Sequence, residues 1–350
     1  MALTPPPFNG SPHLLCDWIE LKALSSPLGE FRLASLKRMW DVSRETEDSD
    51  PAGDIDRESD TDVSGVSGGD EEVFMDSLLG EFGERIEALG NSYPFRITAG
   101  NRIVVTQPAN DGGYLYLFCL FLTYANAKEL LDGSWVPRVD NEVRDLFQAC
   151  STLAAAGEVR GCAISFGWPR PSGNPAFLTK LKEVYRLFGE GEVVTVARKG
   201  VSPAVKDEEI DLIAWRPRAD KAAGTEYLLG QVASGDNWMG KSILGGPINN
   251  FHRNWFTHSP ASAVSTRASI FIPHSVPPID VEGTRKERMN IISATYGTVI
   301  DRLRLPSLAQ SGADLHSQNI PGVHIERYED FPKIHAWVVE QINSLHRIAA

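Results

Sequence analysis

Apolar and polar positions alternate with two different periods along the chain, helical in the first half and mixed in the second. Residues 14–40 carry Leu14, Leu15, Trp18, Ile19, Leu36, Met39 and Trp40 at roughly helical spacing, broken at Ser26-Pro27 and Gly29. That pattern predicts two short docking helices. Phe74, Leu78, Phe82, Ile86 and Leu89 follow at i+4 and i+3 steps and predict a strong helix ended by Gly90. A strand is expected at Arg102–Thr106, a wholly apolar helix over 114–125, and a further helix over about 141–156. Helix 175–188 opens with Pro175 in its first turn and stops before Gly189. Strands 192–198, 209–215 and 226–233 then come in quick succession, with turn chemistry at Gly200/Pro203 and Pro217/Gly224. A partly helical segment, 238–266, leads to a strand at Ser269–Ile272, a long helix from about Arg285 to Leu305, and a terminal helix from Tyr328 to Ile348.

The class is therefore α+β. Docking helices occupy 1–44, an acidic linker 45–72, a mainly helical region 73–165, and an α-β-β-β-α-β unit with trailing helices 166–350.

Composition sharpens this division. The 350 residues are 42% hydrophobic and 23% charged, enough to build one large or two modest cores. The net charge of −12 argues at first against a nucleic-acid partner. Residues 45–72 alone hold 12 acids and one base, so the other 322 residues carry only −1. With almost no apolar residues, that segment reads as a disordered linker; the sharper alternative is an acidic tail that mimics DNA in the protein's own groove. Residues 151–350 hold 22 basic and 20 acidic residues, which suits contact with a polyanion. Cys16, Cys119, Cys150 and Cys162 are scattered, with no C-x-x-C pair, which points to a reduced compartment rather than a zinc site. The longest apolar run, Tyr114–Ala125, is too short to span a membrane, and no leader pattern is visible, so a cytoplasmic protein is expected.

Chemistry concentrates in Gly230–Ser242 and in the strand before it. Gly235-x4-Gly240-Lys241-Ser242 fits the phosphate-cradling P-loop pattern and suggests an NTPase, with Lys241 on the phosphates and Ser242 on Mg²⁺. Its interior residues, Asp, Asn, Trp and Met, are large or acidic for a cradle, and the next strand runs into Pro273-His274 rather than an acid. The second reading starts from Asp211, a carboxylate in the apolar run Ile210–Trp215, where burial calls for a cation. Gln231 lies on the neighbouring strand, where alternation brings it beside Asp211, and together they suit a hard divalent ion. Against these stand plainer roles: Asp211 as a structural acid paired with Arg216 or Lys206, Gln231 as a strand cap, and Lys241 as a solvated charge.

The strand order, the Asp on the second strand and the polar residue on the third resemble the PD-(D/E)xK nuclease superfamily, in a Gln-containing variant. That resemblance implies a restriction-endonuclease-like core hydrolysing DNA phosphodiesters with Mg²⁺ or Mn²⁺. It makes Asp211 and Gln231 metal ligands, lets Lys241 replace the lysine missing at Ala233, and matches Glu183 to an additional helix acid. Glu183 is otherwise a surface charge of an amphipathic helix. The run Gln231-x-Ala-x-Gly-x-Asn-Trp238 looks like nuclease-like proteins of bacterial phage defence, and without Gln231 and Ala233 as working positions the domain is an inactive interaction module. Candidate phosphate contacts are Arg216, Arg218, Lys221, Arg285, Lys286 and Arg288. These are few, so a protein partner or a second copy, bound through the helical half, is expected to assist. Phe166-Gly-Trp-Pro-Arg170 reads as an aromatic packing corner, with a base-stacking platform as its functional alternative.

Overall fold

The computed structural model describes residues 2–8, 10–47, 68–127, 129–168, 170, 176–202, 208–278 and 283–349. Its first half runs α1 (Pro12–Ser25), β1 (Glu30–Arg32), α2 (Leu33–Glu47), α3 (Gly68–Leu89), β2 (Phe95–Thr98), β3 (Arg102–Val105), α4 (Asp111–Ala127) and α5 (Asn141–Val159). Then come β4 (Cys162–Ser165), α6 (Phe177–Phe188), β5 (Glu192–Val193), β6 (Leu212–Trp215), β7 (Tyr227–Val232), α7 (Gly246–Trp255) and β8 (Phe256–His258). The chain closes with β9 (Arg267–Phe271), α8 (Arg285–Tyr296), β10 (Thr298–Ile300), α9 (Leu305–Ser317) and α10 (Phe331–Ala349). Most expected helices form, and their ends have local causes. Asp140 caps α5 by accepting from the Glu142 and Val143 amides, and Gly189, at φ 79°, stops α6.

The central sheet has five strands in the order β10-β9-β7-β6-β4. β4, β6 and β7 are antiparallel neighbours, whereas β7, β9 and β10 run parallel. Read from α5, the order is helix, strand, strand, strand, helix, strand, with α6 and β5 inserted between the first two strands and β8 between α7 and β9. Leu212, Ala214, Leu228 and Phe271 share a core with α4, α5 and α9. Ile213, Trp215, Tyr227 and Leu229 pack instead with α6 and α7. Both faces are covered, which is why β4 and β6 are buried at every position and show no alternation. α5 and α9 approach through Gly157 and Gly312, where a Cβ would collide with the facing helix backbone.

Three expectations need correction. The strand expected at 192–198 shrinks to Glu192–Val193, which pairs with β8 outside the central sheet. The first strand of that sheet is instead Cys162–Ser165, inside the stretch expected to be helical, so the boundary at 165/166 separates this strand from the sheet it belongs to. The long helix 285–305 is two helices with β10 between them: Gly297 takes φ 75° against the Ala268 backbone, and the β-branched Thr298-Val-Ile300 then joins β9. The acidic segment lies outside the described residues over 48–67, while 45–47 finish α2 and 68–72 open α3.

The N-terminal helices are not an appended arm. A buried network of charged and phenolic groups ties α1 to α3, α4 and the end of β10, with Arg85 and Arg302 both fully buried. Arg85 binds Asp17 at 2.6 Å, Glu20 at 2.8 Å and Glu81 at 2.9 Å, and Arg302 binds both Asp17 oxygens at 2.5 Å. The Tyr93, Tyr116 and Tyr124 hydroxyls donate to Glu20 and Asp17, and His13 bonds Glu81. No described helix is long and apolar enough to cross a membrane.

Candidate functional site

Strand directions gather several polar residues at one end of the sheet. The carboxyl ends of the parallel strands β7 and β9, the entry to β6 and the exit from β4 all lie on this edge. In sheets of this kind, ligands bind outside the carboxyl ends of parallel strands. Asp211 enters β6 here, one step before the paired residues Leu212 and Gly230, so it stands across from Gln231. Alternation and register bring this predicted pair together.

Asp211 is held from several sides. Its backbone carbonyl accepts from the Phe166 amide at 2.7 Å, the Gly167 amide at 2.8 Å and the Gln148 side-chain nitrogen at 2.5 Å. Its own amide donates to Gly230 O, and its carboxylate Oδ2 accepts from the Val232 amide at 2.8 Å. Three donors on the carbonyl hold the Asp211 backbone, and the Val232 amide holds one carboxylate oxygen. Gly167 completes the clamp, because a Cβ there would lie 2.7 Å from Asp211 Oδ1 and 3.2 Å from the Gln148 amide. Gly167→Ala is accordingly expected to push the carboxylate aside and lower any Asp211-dependent turnover by about 10- to 100-fold. Steady-state kinetics alongside a melting curve test this, and a Gly167→Ala variant at full turnover would show the close approach to be incidental.

Gln148 and Gly167 carry almost no sequence signal for this role. Gln148 sits on α5, 63 residues before its partner, and its only local mark is an amide beside the apolar Leu146 and Phe147. Gly167 lies in a segment dominated by its aromatic rings, of which Phe166 is buried against Phe177 as a packing corner requires, whereas Trp168 is partly exposed. The Arg170 guanidinium lies 5.2 Å from the Phe166 ring centre, 5.4 Å from Trp168 and 5.6 Å from Phe177.

Among the described residues, no hydrogen bond or ion pair joins Lys241 or Glu183 to this pair. Lys241 ends the 3-10 turn Asp236–Gly240, whose Met239 carbonyl accepts from Tyr296, while Ser242 Oγ donates to Thr295 O at 2.5 Å. The residues flanking Lys241 are thereby tied to the last turn of α8. Glu183 pairs with Lys180 at 3.7 Å and lines a cleft with Ile164, His316, His324 and Glu326.

The geometry also weighs against the P-loop. A 3-10 turn fills the interior of the loop, the Lys241 amide is spent on Trp238 O, and the Ser242 hydroxyl is spent on Thr295. The following helix begins only at Gly246, so no helix N-terminus meets Lys241-Ser242.

The expected phosphate contacts divide. Arg216, Arg218 and Lys221 lie at the far end of β6, in the connection to β7; five residue steps put Arg216 roughly 16 Å along the strand from Asp211. Arg216 is therefore not the structural partner of Asp211; Lys206 lies outside the described residues. Arg285 is taken up by a two-pronged pair with buried Asp301, both bonds 2.7 Å, whereas Lys286 is exposed. Among the described residues, no three His, Cys, Asp or Glu side chains gather to hold a metal ion. The oxygen donors that the register places at this edge are the Asp211 carboxylate and the Gln231 amide.

Comparison with known protein families, curated proteins and solved structures finds no match to this chain.

Proposed function

We propose that the protein is a Mg²⁺- or Mn²⁺-dependent endonuclease that hydrolyses DNA phosphodiester bonds at the Asp211–Gln231 edge of the central sheet. The observation that carries this reading is the clamp on Asp211: a carboxylate preorganised across from a polar residue, at the edge where open sheets bind ligands. The helix-strand-strand-strand-helix-strand order beginning at α5 supports it further, since it suits the restriction-endonuclease-like arrangement better than the one inferred from residue 175.

In this reading Asp211 supplies the charge that recruits the cation, and Gln231 supplies a neutral oxygen that sets its position. Bound there, a divalent cation would supply Lewis acidity and a water of lowered pKa. The Val232 amide keeps Asp211 Oδ2 from swinging away, which fixes the direction in which the carboxylate meets its ligand. Lys241 and Glu183 carry no step. Supercoiled plasmid should be nicked in the presence of Mn²⁺ or Mg²⁺, and chelator should stop the reaction. Purified protein that leaves plasmid, linear duplex and single strands intact across a series of divalent ions would remove the proposal. An effector role in phage defence follows from the resemblance of the Gln231–Trp238 run, and a partner or second copy would supply the phosphate contacts that this edge lacks.

A further inference from the structure

We propose that the site takes an unpaired nucleotide, whose base stacks on Trp168 while its phosphate lies at Asp211. This rests on the nuclease reading for the phosphate, but the platform itself stands on separate observations.

Trp168 is 46% exposed, and it is the tryptophan among the large apolar side chains that the described residues leave open to solvent. An indole left open costs burial energy that the adjacent rings, Phe166 and Phe177, do gain. Its position is not loose. The preceding two residues, Phe166 and Gly167, donate their amides to the Asp211 carbonyl, so the ring is carried one residue beyond the clamp. Behind it lies Arg170, only 3% exposed, whose guanidinium contacts Trp168, Phe166 and Phe177 together. A cation seated against an aromatic ring holds the plane of that ring and adds positive potential beside a phosphate-binding position.

The chemistry of the ligand follows from the ring. An indole face recognises any base by stacking, without reading its hydrogen-bonding edge. In a duplex both faces of a base are already stacked, so a base that reaches Trp168 must come from a single strand or be turned out of the helix. The preferred substrate class is therefore DNA with unpaired nucleotides: single strands, flaps, bubbles or ends.

The test is binding without turnover. A fluorescein-labelled oligo-dT of about 12 nucleotides and a blunt duplex of the same length are titrated with protein in chelator and read by fluorescence anisotropy. The wild type should bind the single strand more tightly than the duplex. Trp168→Ala should weaken single-strand binding by about 5- to 100-fold, the worth of one stacked base, and leave duplex binding unchanged. Trp168→Phe keeps a ring against Arg170 and should recover most of the loss, and circular dichroism on each variant confirms that the fold is kept. Equal binding of single strand and duplex, a Trp168→Ala variant that binds as the wild type does, or no binding to either probe overturns the platform. If Trp168-dependent binding is present but no metal restores cleavage, the nuclease reading fails and the platform survives.

Discussion

Asp211→Asn should lower metal-dependent plasmid cleavage by on the order of 1,000-fold while melting within about 2 °C of the wild type. The substitution is chosen for its shape. Asn keeps an oxygen that can accept from the Val232 amide, and the backbone carbonyl keeps its Phe166, Gly167 and Gln148 donors, so the edge of the sheet should hold. What is lost is the negative charge, the one formal charge that the Asp211–Gln231 pair offers a cation. If Asp211 were only a structural acid, the same variant would melt early and any cleavage would persist in the folded fraction. Phage challenge gives a second readout: protection measured as efficiency of plating should disappear with Asp211→Asn. An Asp211→Asn variant that cuts plasmid at the wild-type rate ends the assignment of this carboxylate.

The second large effect concerns stability and lies far from that edge. Arg85→Met should cost about 3–5 kcal/mol, because it leaves Asp17, Glu20 and Glu81 buried without the cation they share. On a chain of this size that is a melting shift on the order of 10 °C. The same network should make the protein acid-sensitive. Burial acts to raise the carboxyls of Asp17 and Glu81, but Arg302 and Arg85 outweigh it at Asp17, and the His13 bond with Arg85 outweighs it at Glu81. Asp17 is therefore held well below the usual carboxylate range, and Glu81 is brought down to about 2. Folded values below unfolded ones mean that this stability is complete above about pH 4.5 and drains away as pH falls toward the folded values. Melting temperature followed from about pH 6 to about pH 3 should decline over that window, and Glu81→Gln should flatten the decline. An Arg85→Met variant that melts within about 2 °C of the wild type would show that the surroundings relax to neutralise the acids.

The first-half helices are expected to dock a partner, yet Asp17, Glu20 and Glu81 are spent internally, against Arg85 and Arg302. Part of the apparent charge asymmetry between the halves is thus an exchange across the core: an acid on α1, Asp17, meets a cation, Arg302, contributed from beyond β10.

Elements with local signals can be read directly from the chain. The apolar spacing of Phe74–Leu89 and Tyr114–Ala125, the Asp140 cap and the Gly189 stop act within a few residues, and the corresponding helices form where that spacing places them. The Asp211–Gln231 pair is legible for a similar reason, since β6 and β7 are consecutive antiparallel strands whose register follows from one short connection. Tertiary structure alone decided the rest. Cys162–Ser165 becomes the edge of the central sheet only because its four buried residues find β6 across an inserted helix, and burial on both faces erases the alternation that would have marked it. Gly297 ends α8 because the Ala268 backbone leaves no room for a side chain. Gln148 and Gly167 matter because the fold carries them to Asp211 from 63 and 44 residues away. Periodicity and capping are short-range energies written in neighbouring residues; the clamp on a carboxylate is a sum of contacts that exists only once distant segments have packed.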